Sequence, residues 1–473
     1  MSPPEATAAA TAGCKVVLIS PYELGRQPFA LAEPAAWLAR GGHETVCVDL
    51  SRERLAEQSL AGAALVAIHL GMHTATRIAL EALPRIRELA PDAHLCAYGL
   101  YAPMNAPYLR DNGVDTVLGG EAEGQLTELA DQAAAGRTPA LAPAPGLPKV
   151  AFITPDRTGL PALSGYANLG TPDGSTRMVG FAEGSRGCKH LCRHCPVVPV
   201  YQGRFRAVPV EVVMADIRQQ VEAGAEHISF GDPDFLNGPT HALRLVRALH
   251  DAFPDVTYDA TIKVEHLIRH ADLLPELAST GCLFITSAVE SVDDRVLDYL
   301  DKGHTGADFP RAVELVRAAG IALAPTFVAF TPWTTLEGYL DLLRHLVDLE
   351  LVESVPPVQL SIRLLIPQGS YLLNLEGFRE TLGNFDPASL GYPWANPDPR
   401  VDALQRDIQA WVEHAEAEGF ERRAIFQRVW ALAHEAAGLE APALPAGLGA
   451  PIPAMSEPWY CCAEPTKQQL QSF

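Results

Sequence analysis

The sequence predicts an α/β chain with an N-terminal doubly wound, Rossmann-like domain, a partial (βα)6 barrel, and a helical C-terminal region with a flexible tail. Three observations predict this fold class. Short β-branched runs alternate with helical patterns over residues 15–135, and the alternation resumes near residue 178. A Pro- and Gly-rich stretch of low periodicity lies between the two series. Strands that alternate with helices at this spacing are typical of parallel sheets.

The first series contains five strand-like segments. They cover residues 15–20, 44–50, 65–70, 94–99 and 115–120. Because a doubly wound sheet binds ligands outside the carboxyl ends of its strands, the loops that follow these segments are candidate contact points. His69 lies near the end of the third strand, and His73 follows shortly after it. Lone histidines are usually structural, so a cofactor role for either stays open.

The second series contains six strand-like segments with helical patterns between them. They cover residues 178–184, 227–232, 256–263, 283–290, 323–330 and 358–366. Six βα repeats indicate a partial barrel of parallel strands, and an enzyme on such a barrel places its chemistry at the carboxyl ends of the strands.

These patterns divide the chain into six segments. They are a disordered leader (1–14), the Rossmann-like domain (15–136), a linker (137–176), the barrel (177–385), a helical region (386–440), and a Pro/Ala/Gly spacer with the tail (441–473).

Composition excludes several function classes. The formal charge is −21, from 36 basic and 57 acidic residues. This charge argues against a general nucleic-acid binder and against anionic membranes, because both kinds of binding depend on Lys and Arg. We see no apolar run long enough to span a bilayer and no secretory signal. Nine cysteines, an odd number, do not suggest a disulfide framework. We therefore expect a cytoplasmic protein with reduced thiols.

Cys188, Cys192 and Cys195 follow the first barrel strand with the spacing Cys-x3-Cys-x2-Cys. Three thiolates can ligate three irons of a cubane cluster and leave the fourth iron open to a small molecule. The alternative is a structural zinc site with His190 or His194 as fourth ligand. Zinc sites usually combine two separated Cys/His pairs, and the sequence offers no second pair nearby.

Three basic residues, Arg186, Lys189 and Arg193, flank these cysteines. We expect them to offset the charge of the thiolates and to favour deprotonation.

The cysteine motif resembles the signature of the radical S-adenosylmethionine (SAM) superfamily. The resemblance implies a [4Fe–4S] cluster that cleaves SAM reductively to a 5′-deoxyadenosyl radical. It also implies a small-molecule substrate and an external electron donor of the flavodoxin or ferredoxin type.

Three further segments resemble the SAM-contacting segments of that superfamily. The matching positions are Gly231, Asp232 and Asp234 after the second strand, Glu290 and Ser291 after the fourth, and Arg363 in the sixth. Each has a structural alternative. The two aspartates or Glu290 could cap the helix that follows, and Arg363 could form a structural ion pair.

The N-terminal domain resembles the cobalamin-binding domain of the B12-dependent radical SAM class. Gly120, Glu121 and Glu123 match a Gly-Glu-x-Glu segment that closes that domain. The sequence lacks the Asp-x-His-x-x-Gly motif of other cobalamin proteins, and it has Gly99-Leu100-Tyr101 where a Gly-Gly is usual. The alternative is a related fold kept for packing or for another ligand.

Near the C-terminus, residues 459–465 read WYCCAEP and resemble the ending of the CUAEP/CCAEP-tail radical SAM proteins, some of which carry selenocysteine in the first cysteine position. The resemblance implies that Cys461 is a reactive thiol, and we assign Cys461 and Cys462 as catalytic residues. The alternative is an exposed terminus whose cysteines have no role.

These features together predict a radical SAM enzyme that acts on an unidentified small molecule, with methyl or alkyl transfer if cobalamin is bound. A second interpretation omits cobalamin, and SAM donates a carbon fragment to a soft element such as selenium or arsenic held by the tail thiols. A third is a non-enzymatic iron–sulfur or corrinoid carrier or sensor.

Overall fold

A computed structural model describes residues 13–141, 147 and 150–457. Most of the predicted leader and the tail cysteines Cys461 and Cys462 lie outside the described residues. The described chain divides into two compact units. The first contains residues up to 161 except 24–27, and the second contains residues 24–27 and 162–457. No described helix is both long and apolar enough to cross a membrane.

The first unit is a doubly wound α/β domain. Its elements are β1 (Lys15–Ser20), α1 (Phe29–Arg40), β2 (Glu44–Asp49), α2 (Glu57–Leu60), β3 (Leu65–His69), α3 (His73–Leu89), β4 (His94–Tyr98), α4 (Ala106–Asp111), β5 (Thr116–Val117) and α5 (Glu123–Ala134).

All five strands of this unit are parallel, in the order β2-β1-β3-β4-β5. Alternate residues of β1 enter two separate cores: Val17 and Ile19 pack with residues of α3, whereas Val16 and Leu18 pack with residues of α1 and α5. Burial on both faces explains why the strand is apolar throughout. The strand order reverses between β1 and β3, which is where such sheets bind ligands.

The second unit contains the predicted barrel and the C-terminal helices. Its elements are β6 (Asn168–Gly170), β7 (Thr176–Ala182), β8 (Ser185–Gly187), α6 (Val197–Tyr201), β9 (Phe205–Ala207), α7 (Val210–Glu222), β10 (His227–Phe230), α8 (Pro239–Ala252), β11 (Thr257–Thr261), α9 (Val264–Arg269), α10 (Leu274–Ser279), β12 (Cys282–Glu290), α11 (Asp294–Leu300), α12 (Asp308–Ala318), β13 (Ala322–Phe327), α13 (Leu336–Asp348), α14 (Pro399–Ala417), α15 (Arg422–Ala436) and β14 (Ala454–Met455).

The large sheet of this unit has the order β13-β12-β11-β10-β7-β6-β14. The five strands from β7 to β13 are parallel, whereas β6 and β14 extend the sheet with antiparallel pairs. β14 lies in the segment predicted as a spacer. The parallel strands place their carboxyl ends along one edge, so that β8 and the cysteine loop follow β7 at that edge.

The sixth barrel strand, predicted over 358–366, does not form as a regular strand. Residues Pro357–Leu360 form a 3-10 turn, and the segment has bridge positions at Arg363 and Leu364, of which Arg363 pairs in parallel with Phe330. The reason lies in Gln359, whose side-chain oxygen accepts the backbone N–H of Phe327 at 3.0 Å. A side chain thus takes the place that a strand backbone would occupy beside β13.

Candidate iron–sulfur and corrinoid sites

The three predicted cluster ligands lie on one loop of the second unit. The loop begins after β8 and leads into α6. Cys188 and Cys192 are buried, Cys195 is half-buried, and all three are free thiols. Gly187 turns the chain into this loop with φ of +73°, a conformation that favours glycine.

Asn237 holds the first cysteine. Its side-chain amide donates to Cys188 Sγ at 3.5 Å, and its side-chain oxygen accepts the backbone N–H of Lys189 at 3.2 Å. Burial raises the pKa of the Cys188 thiol, although Asn237 and the His190 backbone N–H counteract this. The thiol therefore stays protonated until a metal replaces the proton, as metal binding to cysteine requires.

Two lysines, Lys263 and Lys302, supply positive charge to the sulfurs. Lys263 Nζ lies 3.7 Å from Cys192 Sγ. Burial alone would lower the pKa of Lys302, but Glu290 and the thiolates of Cys192 and Cys195 raise it above its ordinary value. Both lysines are buried, so their charges act on the site with little screening.

The three basic residues predicted to offset the thiolate charge form hydrogen bonds or ion pairs with other groups of the protein. Arg186 pairs with Glu183 at 2.9 Å. Lys189 Nζ donates to the carbonyl of Asn237 at 2.7 Å, and Arg193 donates to the carbonyls of residues 298 and 299. Sequence proximity therefore did not indicate the two buried lysines, because the partners of long side chains depend on the tertiary fold.

Glu290 organises a buried network behind the cluster loop. Its Oε1 lies 3.4 Å from Lys302 Nζ and 3.1 Å from His194 Nε2. Burial would raise the pKa of Glu290, yet these two partners hold it at about 2. The residue has φ of +68° beside a register shift between β12 and β13. Such local strain and bulges re-aim side chains, here toward the loop.

Gly231 and Asp232 follow β10, as predicted. A Cβ atom on Gly231 would lie 2.0 Å from the ring of Phe181, so only glycine fits. Asp232 accepts the backbone N–H of Gly184 at 2.8 Å and the hydroxyl of Ser185, and burial raises its pKa to about 7. Asp232 therefore ties β10 to the start of β8 rather than capping a helix.

The other predicted SAM contacts have protein partners. Asp234 is buried against His190 and His266. The Ser291 hydroxyl accepts the backbone N–H of Asp293 at 3.1 Å. Arg363 pairs with Asp402 at 2.8 Å and lies over the ring of Trp394. The structural ion pair left open for Arg363 is therefore the observed arrangement.

In the first unit, a pair of polar side chains marks the point where the strand order reverses. His69, at the end of β3, lies 3.3 Å from Glu23, in the loop after β1. Gly99 has φ of +111°, and a Cβ atom there would lie 2.9 Å from the His69 ring. Glycine at this position lets the backbone after β4 pack closely against His69 and the Leu70 carbonyl oxygen.

The Gly-Glu-x-Glu segment follows β5. Gly120 has φ of +67°, and Glu121 and Glu123 are buried. Burial raises the pKa of Glu123 to about 7, and the Glu121 carboxylate adds to this rise. These three residues thus stand at the carboxyl end of β5, on the edge where the fold class binds ligands.

We expect Gly187→Ala to uncouple the cluster loop from β8. The new Cβ atom would lie 2.3 Å from the carbonyl oxygen of Arg204, and a left-handed backbone costs alanine about 1–2 kcal/mol. Iron bound per chain after anaerobic reconstitution should fall, and the thermal midpoint should drop. Gly174→Ala is the control, because Gly174 also has a positive φ of +84° but open space around it. Equal iron content in both variants would contradict the expectation.

We expect Lys263→Met to lower the reduction potential of the site by about 100 mV, since a buried charge about 7 Å away contributes about 2 kcal/mol at an effective dielectric constant near 20. The physical reason is that positive charge stabilises the reduced, more anionic state. A redox titration followed by electron paramagnetic resonance measures the shift. Lys263→Arg, which keeps the charge, should restore most of it. An unchanged potential in Lys263→Met would contradict this role.

Comparison with known proteins places this site in a class. Residues 183–341 match the model of the radical SAM superfamily. The chain therefore contains a radical SAM domain, as the cysteine motif predicts, and the prediction of an enzyme is confirmed. The match covers the cysteine loop and the carboxyl ends of β10, β11 and β12.

Curated relatives include two tRNA-2-methylthio-N(6)-dimethylallyladenosine synthases. That of Aliivibrio fischeri (strain MJ11) is 22% identical over 285 residues, which is 56% of this chain and 55% of that protein. That of Haemophilus influenzae (strain PittEE) is 26% identical over 259 residues, which is 51% of this chain and 48% of that protein. The chain spans about half the length of these relatives.

Solved structures extend the similarity beyond the radical SAM domain. The radical SAM methyltransferase TsrM of Kitasatospora setae, with cobalamin and a [4Fe–4S] cluster bound, aligns with a TM-score of 0.56 at 18% identity, over 72% of this chain and 70% of that chain. The cobalamin-dependent SAM radical enzyme OxsB, with aqua-cobalamin bound, aligns with a TM-score of 0.64 at 13% identity, over 85% and 67%. At these identities the likeness shows the fold, and it confirms the predicted fold class.

The sequence did not single out Asn237, Lys263 or Lys302. Asn237 lies three residues after Asp234, one of the positions that resemble SAM contacts. Lys263 comes two residues after β11, at a carboxyl end where barrel enzymes place chemistry. Applying that rule to every strand would have found Lys263, whereas Lys302 lies beyond α11 and carried no such signal.

Proposed function

We propose that the chain is a radical SAM enzyme in which Cys188, Cys192 and Cys195 hold a [4Fe–4S] cluster. The single observation that carries this proposal is the convergence of three free thiols on one loop at the carboxyl edge of the barrel, with Asn237 and Lys263 directed at two of the sulfurs. When bound, the cluster supplies one electron that cleaves SAM to methionine and a 5′-deoxyadenosyl radical.

The residues of this chain would bind and orient the cofactors. Asn237 fixes the Cys188 side chain, and the charges of Lys263 and Lys302 offset those of the thiolates. Glu290 sets the position of Lys302 and of His194 in the cluster loop. Gly231 leaves room for the Phe181 ring at the end of β10. This edge of the barrel is where SAM would bind.

We propose further that the first unit binds a cobalamin, which when bound supplies a methyl or alkyl carrier. Three features of this unit support the proposal: the strand order, the His69–Glu23 pair where that order reverses, and the close approach of Gly99 to His69. The fold is also similar to those of TsrM and OxsB, both solved with cobalamin, and this analogy of fold supports cobalamin binding here.

A small molecule is the substrate class that the chain favours over nucleic acid. The curated relatives are named for a tRNA product, but this chain spans only about half of their length. Its formal charge of −21 would oppose an RNA phosphate backbone. The tail residues Cys461 and Cys462 are proposed to serve as nucleophile, substrate anchor or reductant, in line with the tail resemblance.

Corrinoid binding is tested on the protein with its cluster reconstituted. After anaerobic incubation with hydroxocobalamin and desalting, the absorbance spectrum should show about one corrinoid per chain, and Gly99→Ala should weaken binding by about tenfold, or 1.4 kcal/mol. Gly113→Ala is the control, because Gly113 also has a positive φ of +88° but open space around it. No retained corrinoid in the wild type would refute the cobalamin part and favour carbon transfer to a soft element at the tail.

A further inference from the structure

A second cluster of metal-ligating side chains lies beside the cysteine loop. It consists of His190 from the loop, Asp234 from the segment after β10, and His266 from α9. One ligand atom from each residue lies within 4.8 Å of the others. Asp234 Oδ2 is 2.6 Å from His266 Nδ1 and 3.4 Å from His190 Nε2. Asp234 and His266 are buried.

The three facing atoms (His190 Nε2, Asp234 Oδ2 and His266 Nδ1) contact one another through ion pairs centred on Asp234. None of the three atoms forms a hydrogen bond with a further described residue. Their electron pairs therefore point into one shared space, and a metal cation is a ligand that accepts electron pairs from all three atoms at once.

A carboxylate lies behind one of the two imidazoles. His190 Nδ1, the nitrogen that faces away from Asp234, lies 3.6 Å from Glu265 Oε2. A carboxylate behind a metal-binding imidazole fixes its tautomer and increases its basicity. Asp234 is the one carboxylate among the three facing residues, and Glu265 is itself paired with two cations. Lys263 Nζ, 3.9 Å from Glu265, and Arg269, paired with Glu265, are the nearby cations.

We propose that His190, Asp234 and His266 bind a divalent transition-metal ion of the zinc type, separate from the iron–sulfur cluster. Two imidazoles and a carboxylate with a fourth position open to water or substrate form a common ligand set for such ions. Bonds of about 2.1 Å at tetrahedral angles need ligand atoms about 3.4 Å apart. The Asp234–His190 pair already has that separation, and the His266 ring must withdraw by less than about 1 Å. Asp234 thereby acts as a metal ligand instead of a SAM contact.

Zinc content tests the proposal on the protein with its cluster reconstituted. The protein is equilibrated anaerobically with Zn²⁺ and desalted, and zinc and iron are quantified together. We expect about one zinc per chain in addition to the cluster iron, and loss of that zinc in Asp234→Asn and in His266→Ala. His270→Ala is the matched control, because His270 lies one turn from His266 and contacts its ring without offering a facing atom.

Two measurements keep the test decisive if a variant misfolds or loses its cluster. The Cys188/Cys192/Cys195→Ala protein should still bind one zinc. X-ray absorption at the zinc edge of the wild type should show nitrogen and oxygen neighbours at about 2.0–2.1 Å without sulfur. Sulfur neighbours, equal zinc in wild type and Asp234→Asn, or no retained zinc would each overturn the proposal. Iron is quantified in the same samples. One of these outcomes with full cluster iron contradicts the zinc proposal alone, whereas loss of the cluster iron in the wild type would count against the proposed function.

Discussion

Replacing any one of Cys188, Cys192 and Cys195 with alanine is expected to abolish SAM cleavage. Loss of a residue that only supports a metal ligand typically costs 10–100-fold, so loss of a ligand should cost more than about 100-fold. Two of the three thiols are buried, and the structure describes no other cysteine on the loop that could replace them. Iron and sulfide per chain, the visible absorbance of the cluster, and the rate of SAM cleavage measure the effect.

Cys282→Ala is the matched control for these variants. Cys282 is a buried free thiol in the same unit, but it lies at the amino end of β12, opposite the edge that carries the cysteine loop. Its replacement should leave iron content and SAM cleavage near the wild-type values. A full iron content in Cys188→Ala, or a loss in Cys282→Ala equal to that in the loop variants, would contradict the assignment of the ligands.

Lys302→Met is expected to lower the free energy of unfolding by about 3–5 kcal/mol, because it leaves the Glu290 carboxylate buried without its main partner. Glu290→Gln should cost a comparable amount, since it strands the Lys302 charge. The double variant Glu290→Gln/Lys302→Met should lose much less than the sum, because no unpaired charge remains. Anaerobic urea titrations at matched iron content measure all four proteins.

Comparison of the single and double variants tests whether Glu290 and Lys302 stabilise the protein as a pair. Additive losses would show that Glu290 and Lys302 act independently and that the network behind the loop does not hold it in place. Arg344→Met and Asp341→Asn give the comparison for an exposed pair of the same unit. These variants should change stability by no more than about 1 kcal/mol, because solvent screens surface ion pairs.

Local patterns predicted much of the fold. The β1 strand has the predicted bounds because an apolar β-branched run favours a strand. The sixth barrel strand failed although its sequence is equally apolar. There the Gln359 side chain bonds to the backbone of Phe327, a choice that depends on a partner 32 residues away in the chain. Periodicity carries no information of that kind.

The candidate site also has one part that local sequence predicted and one part that depends on tertiary contacts. The spacing of the cysteines predicted their shared loop, because three ligands within eight residues need no tertiary contact to converge. The sequence did not indicate Lys263, the cation 3.7 Å from the Cys192 sulfur. Lys263 reaches Cys192 across 71 positions of sequence. Arg193, which is adjacent to Cys192 in the sequence, donates instead to the carbonyl groups of residues 298 and 299 in α11. Side-chain partners of long flexible residues follow from packing, which a single sequence does not reveal.

Formation of 5′-deoxyadenosine tests the central claim most directly. The protein is reconstituted anaerobically to a verified, reducible [4Fe–4S] cluster, reduced with dithionite, and given SAM. Product is then quantified in the wild type and in the Cys188/Cys192/Cys195→Ala variant. We expect 5′-deoxyadenosine from the wild type and none from the variant. A wild type with a reduced cluster that yields no 5′-deoxyadenosine, or a variant that yields as much, would contradict reductive cleavage of SAM at this loop.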